Sequence, residues 1–297
     1  MRRAPGFGLA LAAFGALVLT PDTLFMRLSE MGGFQMVAWR GCLMGAVMIL
    51  GWALLSRDRG AELARLTSAA GLVVVVCQFL GVVLFALAIA VAPVAVVLFG
   101  LATVPLCAAL LSRVILGEPT PAATWAAMGA VMAGIGIAVL GDTDAALRLD
   151  PGALSGALLG LGVALVMALN LVVLRARPLV PIPLAIGLGG LGAGLLGLAV
   201  TGLAAMPQGH PWAIVASGAV ITPLSFFALS LAVRHTQAAN VSLLMLVETV
   251  LGPLWVWLGV GERPTLNMGL GGAIVVVSLG LYLIVTGRRL RRPQMQR

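Results

Sequence analysis

Polar and apolar positions alternate along this chain on the scale of whole segments rather than single residues. Apolar runs occupy 6–26, 34–55, 70–91, 94–112, 121–140, 152–173, 183–205, 213–233, 236–258 and 267–286. Each is close to the ~20 residues that a helix needs to cross a bilayer's hydrocarbon core. A membrane barrel strand would show ~10 residues of alternating polarity instead, and only helices and closed barrels can satisfy their backbone groups in lipid. The pattern therefore predicts an all-α membrane protein of ten transmembrane helices with short connections, the tightest at Ala92-Pro93.

Composition agrees. Of 297 residues, 61% are hydrophobic and only 9% charged, against about 25% charged in soluble domains, so no sizeable soluble domain fits. Cys42, Cys77 and Cys107 fall inside apolar runs without C-x-x-C or Cys/His spacing, which predicts packing side chains and neither a disulfide framework nor a metal site. The first run follows Arg2-Arg3 but has no small-x-small cleavage site, and the next run begins a few residues later. It reads as the first membrane helix rather than a cleaved signal.

The net charge of +8 comes from eighteen basic residues, all of them Arg. They flank the apolar runs instead of forming a patch, so a nucleic-acid partner is not expected. With the N-terminus cytoplasmic, fourteen lie on the cytoplasmic side, from Arg2 through Arg57, Arg59 and Arg65 to Arg297. Only Arg27, Arg148 and Arg263 fall outside, and Arg40 lies within the second run. The positive-inside rule thus predicts that both termini are cytoplasmic, in a bacterial inner membrane. The acidic connection Asp142, Asp144, Asp150 is then external and separates a first half, 1–145, from a second half, 146–297, that ends in a basic tail.

The halves resemble each other. Leu84-Phe85-Ala86-Leu87-Ala88-Ile89-Ala90 matches Phe226-Phe227-Ala228-Leu229-Ser230-Leu231-Ala232, and Ile115-Leu116-Gly117-Glu118 matches Gly259-Val260-Gly261-Glu262, at offsets of 142 and 144. With five helices per half, the second copy is inverted in the membrane, an arrangement that lets carriers open alternately to either side. Ala92-Pro93, Pro105, Leu116-Gly117-Glu118-Pro119 and Gly129, Gly134, Gly136 in the first half, with Glu248, Pro253, Gly261-Glu262, Gly271-Gly272 and Gly280 in the second, resemble the two EamA-type repeats of the drug/metabolite transporter superfamily. The resemblance extends over essentially the whole chain. It implies transport of small organic solutes, often outward, and makes Glu118 and Glu262 a structural repeat motif. One departure is Thr249 where the first copy has Pro105, which predicts that the second copy lacks that kink.

Several patterns are coincidental. Gly187-Leu188-Gly189-Gly190-Leu191-Gly192 satisfies G-x-G-x-x-G, yet it lies in an apolar helix with no preceding strand and no acid about twenty residues on. Gly187, Gly190, Gly194 and Gly197 read better as small residues for close helix approach. No H-E-x-x-H, G-x-S-x-G or P-loop is present, so no enzyme chemistry, cofactor or ATP coupling is expected.

The informative residues are the ionisable ones inside runs, since a charge near the bilayer centre costs at least ~2.5–3.5 kcal/mol. Asp22 and Arg40 stand at comparable depth toward the external ends of neighbouring helices, as a structural ion pair, an outer gate or a substrate contact, with Trp39 beside them and Arg27 as a competing cation. Glu248 lies mid-helix with no cation at its depth, and Asn240, Leu244 and Glu248 at four-residue spacing predict one polar side toward a central cavity. Gln78, Asn170 and Ser225 are further cavity candidates. These features predict a secondary-active exporter or exchanger of a small polar metabolite, with an amino acid or related zwitterion or cation favoured by the two buried acids. Protons are a candidate co-substrate, and the lipid bilayer and a monomer or homodimer are the expected setting. A passive channel and a non-transporting sensor or assembly subunit are the alternatives.

Overall fold

In a computed structural model the chain is described at residues 6–92, 94–140, 151–261, 270, 273–278, 280–282 and 284. The described residues are helical with no strand. Seven helices or helix pairs are long and apolar enough to cross a membrane: Phe7–Leu28, Gly33–Leu55, Ala69–Val91, Leu158–Ala176, Ile182–Thr201, Pro211–Ala232 and Ala238–Val260. Val104–Leu116, Ala122–Gly134 and Ala273–Tyr282 are shorter apolar helices. The expected Asp142–Asp150 connection, Glu262 and the C-terminal tail lie outside the described residues.

In order, the elements that matter are α1 (Phe7–Leu19), α2 (Asp22–Leu28), α3 (Gly33–Leu55), α4 (Arg59–Leu66), α5 (Ala69–Val91), α6 (Val94–Leu101) and α7 (Val104–Leu116). They continue as α8 (Ala122–Leu140), α9 (Pro151–Ala176), α10 (Ile182–Thr201), α11 (Pro211–Val215), a π-helical turn (Ala216–Ile221), α12 (Thr222–Ala232), α13 (Ala238–Met245) and α14 (Val247–Val260). Four apolar runs read as single helices are therefore interrupted: α1/α2 at Thr20-Pro21, α6/α7 at Ala102-Thr103, α11/α12 at the π turn, and α13/α14 at Leu246.

Three interruptions share a chemistry. Proline removes one backbone donor and crowds the preceding turn, and the carbonyls so freed must find partners where there is no water. A threonine within two residues of each proline bonds back to a carbonyl of the preceding turn, and at Pro21 that carbonyl, Leu17 O, is the one the proline frees. Thr20 Oγ1 donates to Leu17 O, Thr103 Oγ1 to Gly100 O, and Thr222 Oγ1 to Ser217 O, adjoining Pro21, two residues before Pro105, and adjoining Pro223. The second-half break corrects the expectation drawn from Thr249. No proline is needed at Leu246, because short i to i−3 bonds, Leu246 N–H to Leu243 O and Thr249 N–H to Leu246 O, tighten the chain there.

Apolar side chains gain little from leaving lipid for protein, so helices associate by close packing and by polar contacts. The tightest seam joins α3 to α10. A Cβ on Gly41 would stand 2.4 Å from Gly194 N, one on Gly194 2.3 Å from Cys42 N, and one on Gly197 2.5 Å from Ala38 N. Gly187 and Gly190 face Ile49 and Met44 along the same seam. Around it α5 packs on α9 and α10, α9 on α6 and α7, and α1 on α12 and α13. Residues of both halves thereby surround one interior.

At a seam this close an added methyl has no room, and overpacking costs ~1–3 kcal/mol. Gly41→Ala and Gly194→Ala will each lower the melting temperature in detergent, whereas Gly51→Ala, on α3 with nothing within 4 Å of the new methyl, will leave it within a degree or two. Equal melting of all three variants contradicts the seam.

Candidate functional site

Interrupting a membrane helix exposes a half-helix N-terminus, whose unpaired N–H groups carry a partial positive charge. Asp22 opens α2 just past Thr20-Pro21, and Glu248 is the second residue of α14. Both carboxylates thus occupy first turns, where the helix dipole favours them. Both are almost fully buried, at 1% and 2% exposure. Between them stands Arg40 of α3, itself 7% exposed.

Arg40 Nη2 lies 2.9 Å from Asp22 Oδ2, an ion pair by distance although the N–H is not aligned for a hydrogen bond. Arg40 also touches Met26 Sδ and lies over the Phe85 ring, 5.5 Å from its centroid. The other carboxylate oxygen, Asp22 Oδ1, accepts a 2.5 Å hydrogen bond from Ser217 Oγ. Ser217 belongs to the π turn, the kind of bulge that collects at functional sites. Nearby, Gly218 fits against the Arg40 backbone, with 3.0 Å between its would-be Cβ and Arg40 Cα. Arg27 instead reaches Ala92 O, at 3.5 Å, and does not compete for Asp22.

Glu248 has a different environment. It is within electrostatic range of Asp22 and Arg40, but among the described residues no hydrogen bond or ion pair reaches it. One guanidinium and two carboxylates therefore stand together with a single ion pair among them. All three line one cavity together with Gln78 of α5 and Asn170 of α9. Gln78 Nε2 and Asn170 Oδ1 are buried without hydrogen-bond partners, a donor and an acceptor that each cost free energy until something pairs with them. Phe85, Phe226, Met167 and Leu101 supply apolar wall. About 50 Å³ is open to the centre of a water-sized sphere, room for a few waters.

The sequence-predicted set divides here. Asp22, Arg40, Gln78, Asn170 and Glu248 are brought together, while Asn240, Ser225 and Trp39 are not among the lining residues. Asn240 bonds to Tyr282 Oη and to Thr236 Oγ1. The break at Leu246 is the reason, since four-residue spacing keeps Asn240 and Glu248 on one side only along a continuous helix. Ser225 Oγ donates to Gly15 O across the α1/α12 contact, and Trp39 Nε1 donates to Met206 O in the connection that follows α10. Cys77, expected to be a packing side chain, lines the cavity. Ser217 was not singled out from the sequence, where a serine between Ala216 and Gly218 carries no distinguishing signal.

Polar contacts tie the helices together at two places away from the cavity. Glu118, just past α7, accepts from Arg175 at 3.2 Å, and the same guanidinium donates to Val233 O and Arg234 O at 3.4 Å. Near the start of α3, Gln35 Nε2 donates to Ala205 O and Gln208 O, both at 2.8 Å, in the same connection that Trp39 grips.

Removing one member of a buried ion pair strands the other, at a cost of ~3–5 kcal/mol. Arg40→Ala will destabilise the protein by about that much, and Asp22→Asn combined with Arg40→Ala will cost less than the sum of the single losses. Strict additivity in a double-mutant cycle of thermal unfolding contradicts the contact.

Comparison with known proteins agrees with this architecture. No curated protein matches the chain. A solved structure described only as the crystal structure of a protein superposes with a TM-score of 0.74 at 20% identity, over 96% of this chain and 98% of that one. At that identity the likeness establishes a shared fold and nothing more. The model of the EamA-like transporter family matches residues 6–140. That segment, a little under half of the chain, is therefore similar to the EamA-like transporter family, a likeness that suggests a membrane transporter.

Proposed function

We propose that this protein is a secondary-active transporter that moves a small polar organic metabolite, with a cationic or zwitterionic group, through the Asp22/Arg40/Glu248 cavity. The observation that carries the reading is the charge count. Asp22 is ion-paired with Arg40 and accepts from Ser217, which leaves Glu248 as a buried carboxylate with no cation of its own among the described residues. A charge held in that state is costly, and a proton or an ammonium group on Glu248 removes the cost. Gln78 Nε2 and Asn170 Oδ1 add a donor and an acceptor for the polar groups of the same solute.

Alternating access by two inverted halves, 1–145 and 146–297, completes the reading. Support comes from the breaks at Ala102-Thr103 and Leu246, which fall at corresponding places when the halves are aligned by the 144-residue offset. Discontinuous helices at corresponding positions are the usual pointer to a carrier's central site. The first half contributes Asp22, Arg40 and Gln78 to the cavity and the second contributes Asn170, Phe226 and Glu248, so a rocking of one half against the other changes access to the site. Seven long spans and three shorter apolar helices fit ten crossings, with both termini cytoplasmic in a bacterial inner membrane, as the arginine distribution favours.

Glu248→Gln keeps shape and hydrogen bonding but can neither titrate nor offer a negative charge. In proteoliposomes this variant will lose solute counterflow at least tenfold while remaining monodisperse in detergent. Transport at the native rate with an unchanged pH profile contradicts the assignment. Linear flux without trans-acceleration in the unsubstituted protein is the result expected of a channel instead.

Orientation has its own test in a background without native cysteines. Gly32→Cys and Gly60→Cys, both at positions with open space around the new side chain, will react with an impermeant maleimide from outside and from inside respectively. The reverse pattern overturns the topology.

A further inference from the structure

Apart from the central cavity, a wide groove of about 690 Å³ runs along the outside of the bundle between α3 and α12. On α12 and the π turn it extends from Val220 to Arg234, fourteen residues or ~21 Å of helical rise. Half the full thickness of a bilayer, headgroups included, is about the same length. Its flanks are apolar and open: Val47, Val220, Leu224 and Phe227 are each at least 38% exposed. Such a face in a membrane-spanning chain meets acyl chains.

One end of the groove is polar. Arg65 of α4 and Arg234, just past α12, lie there with Trp52, Ser56 and Glu62. The only carboxylate among these is already engaged, since Glu62 Oε2 accepts from Trp52 Nε1 and from Ser56 Oγ. Arg234 Nη2 donates to Val180 O, while its Nε is buried without a partner. Among the described residues neither Arg65 nor Arg234 has a carboxylate partner. Two guanidiniums therefore face one committed carboxylate at the mouth of an apolar slot one leaflet deep.

We propose that this groove is a binding site for an anionic phospholipid of the arginine-rich leaflet. One acyl chain lies between α3 and α12, and the headgroup phosphate is held by Arg65 and Arg234. The chemistry is that of a charge-assisted bond from guanidinium to phosphate, at the depth where Trp52 stands as an interfacial side chain. A zwitterionic lipid brings its own ammonium to the same place and loses most of the advantage.

Native mass spectrometry of the purified full chain, with equal amounts of phosphatidylglycerol and phosphatidylcholine of identical acyl chains, provides the test. Phosphatidylglycerol adducts will exceed phosphatidylcholine adducts at least tenfold. Arg65→Gln with Arg234→Gln will bring that ratio below threefold, whereas Arg57→Gln, at an exposed arginine outside the groove, will leave it unchanged. If the double variant is poorly folded, Arg65→Gln alone serves, since the Arg65 side chain makes no hydrogen bond to any described residue, and it will reduce the ratio at least threefold. Val220→Trp, which fills the groove, will reduce phosphatidylglycerol adducts. Equal retention of the two lipids overturns the proposal. So does an effect of Arg57→Gln as large as that of Arg65→Gln, or full displacement of the lipid by glycerol phosphate, which would mark a site for free phosphate.

Discussion

The structure depends on how it accommodates three charged side chains inside a bilayer. Each of Asp22, Arg40 and Glu248 costs at least ~2.5–3.5 kcal/mol at membrane depth if left to itself. The chain lowers that cost by breaking its own helices. Proline and threonine at Thr20-Pro21 and a tightened turn at Leu246 start new helices whose first turns each hold a carboxylate, where the helix dipole favours it. Arg40 then pairs with Asp22, and the π turn delivers Ser217 to the oxygen that Arg40 leaves free. Three of the irregular turns border the polar interior, at Asp22, Ser217 and Glu248, as irregular backbone at membrane depth requires.

The packing follows from the same constraint. Because lipid offers apolar side chains nearly what the protein interior does, the glycines of α3 and α10 bring backbones together instead. That seam holds α3, and hence Arg40, at a fixed distance from its partners. On either side of the site the contacts are few and polar: the Arg175 guanidinium with Glu118 and two carbonyls, and Gln35 and Trp39 with the Ala205–Gln208 connection. Close glycine packing thus sits at the core, and the polar ties lie toward its ends.

Much of this was legible in the sequence. Long apolar runs mark the helices, since no other pattern survives in lipid, and charges inside them mark the cavity, since nothing else justifies their cost. Asp22, Arg40 and Glu248 stand out by position alone, as do the glycines of the seam, but the sequence set Asp22 and Arg40 apart as an outer pair and gave Glu248 no cation at its depth, whereas all three line one cavity. The helix breaks were legible only in part. Pro21, Pro105 and Pro223 announce irregularity, but the slip at Leu246 arises from short i to i−3 bonds that composition does not encode. That slip also separated Asn240 from Glu248 despite their four-residue spacing. Single hydroxyls gave no guidance. Ser217 and Ser225 look alike in sequence, yet one meets Asp22 and the other a backbone carbonyl on α1, a difference set by the π turn between them.

Cys77 gives the cavity a reporter of its own, because it lines the same space as Glu248. With Cys42 and Cys107 replaced by Ala, the rate at which a permeant maleimide alkylates Cys77 can be measured in the presence of the metabolite that most raises the melting temperature in a screen. If solute binds between Arg40, Gln78 and Glu248, saturating metabolite will slow alkylation at least tenfold, and Glu248→Gln will abolish that protection. An alkylation rate that is unchanged at saturation contradicts a central site built on these residues.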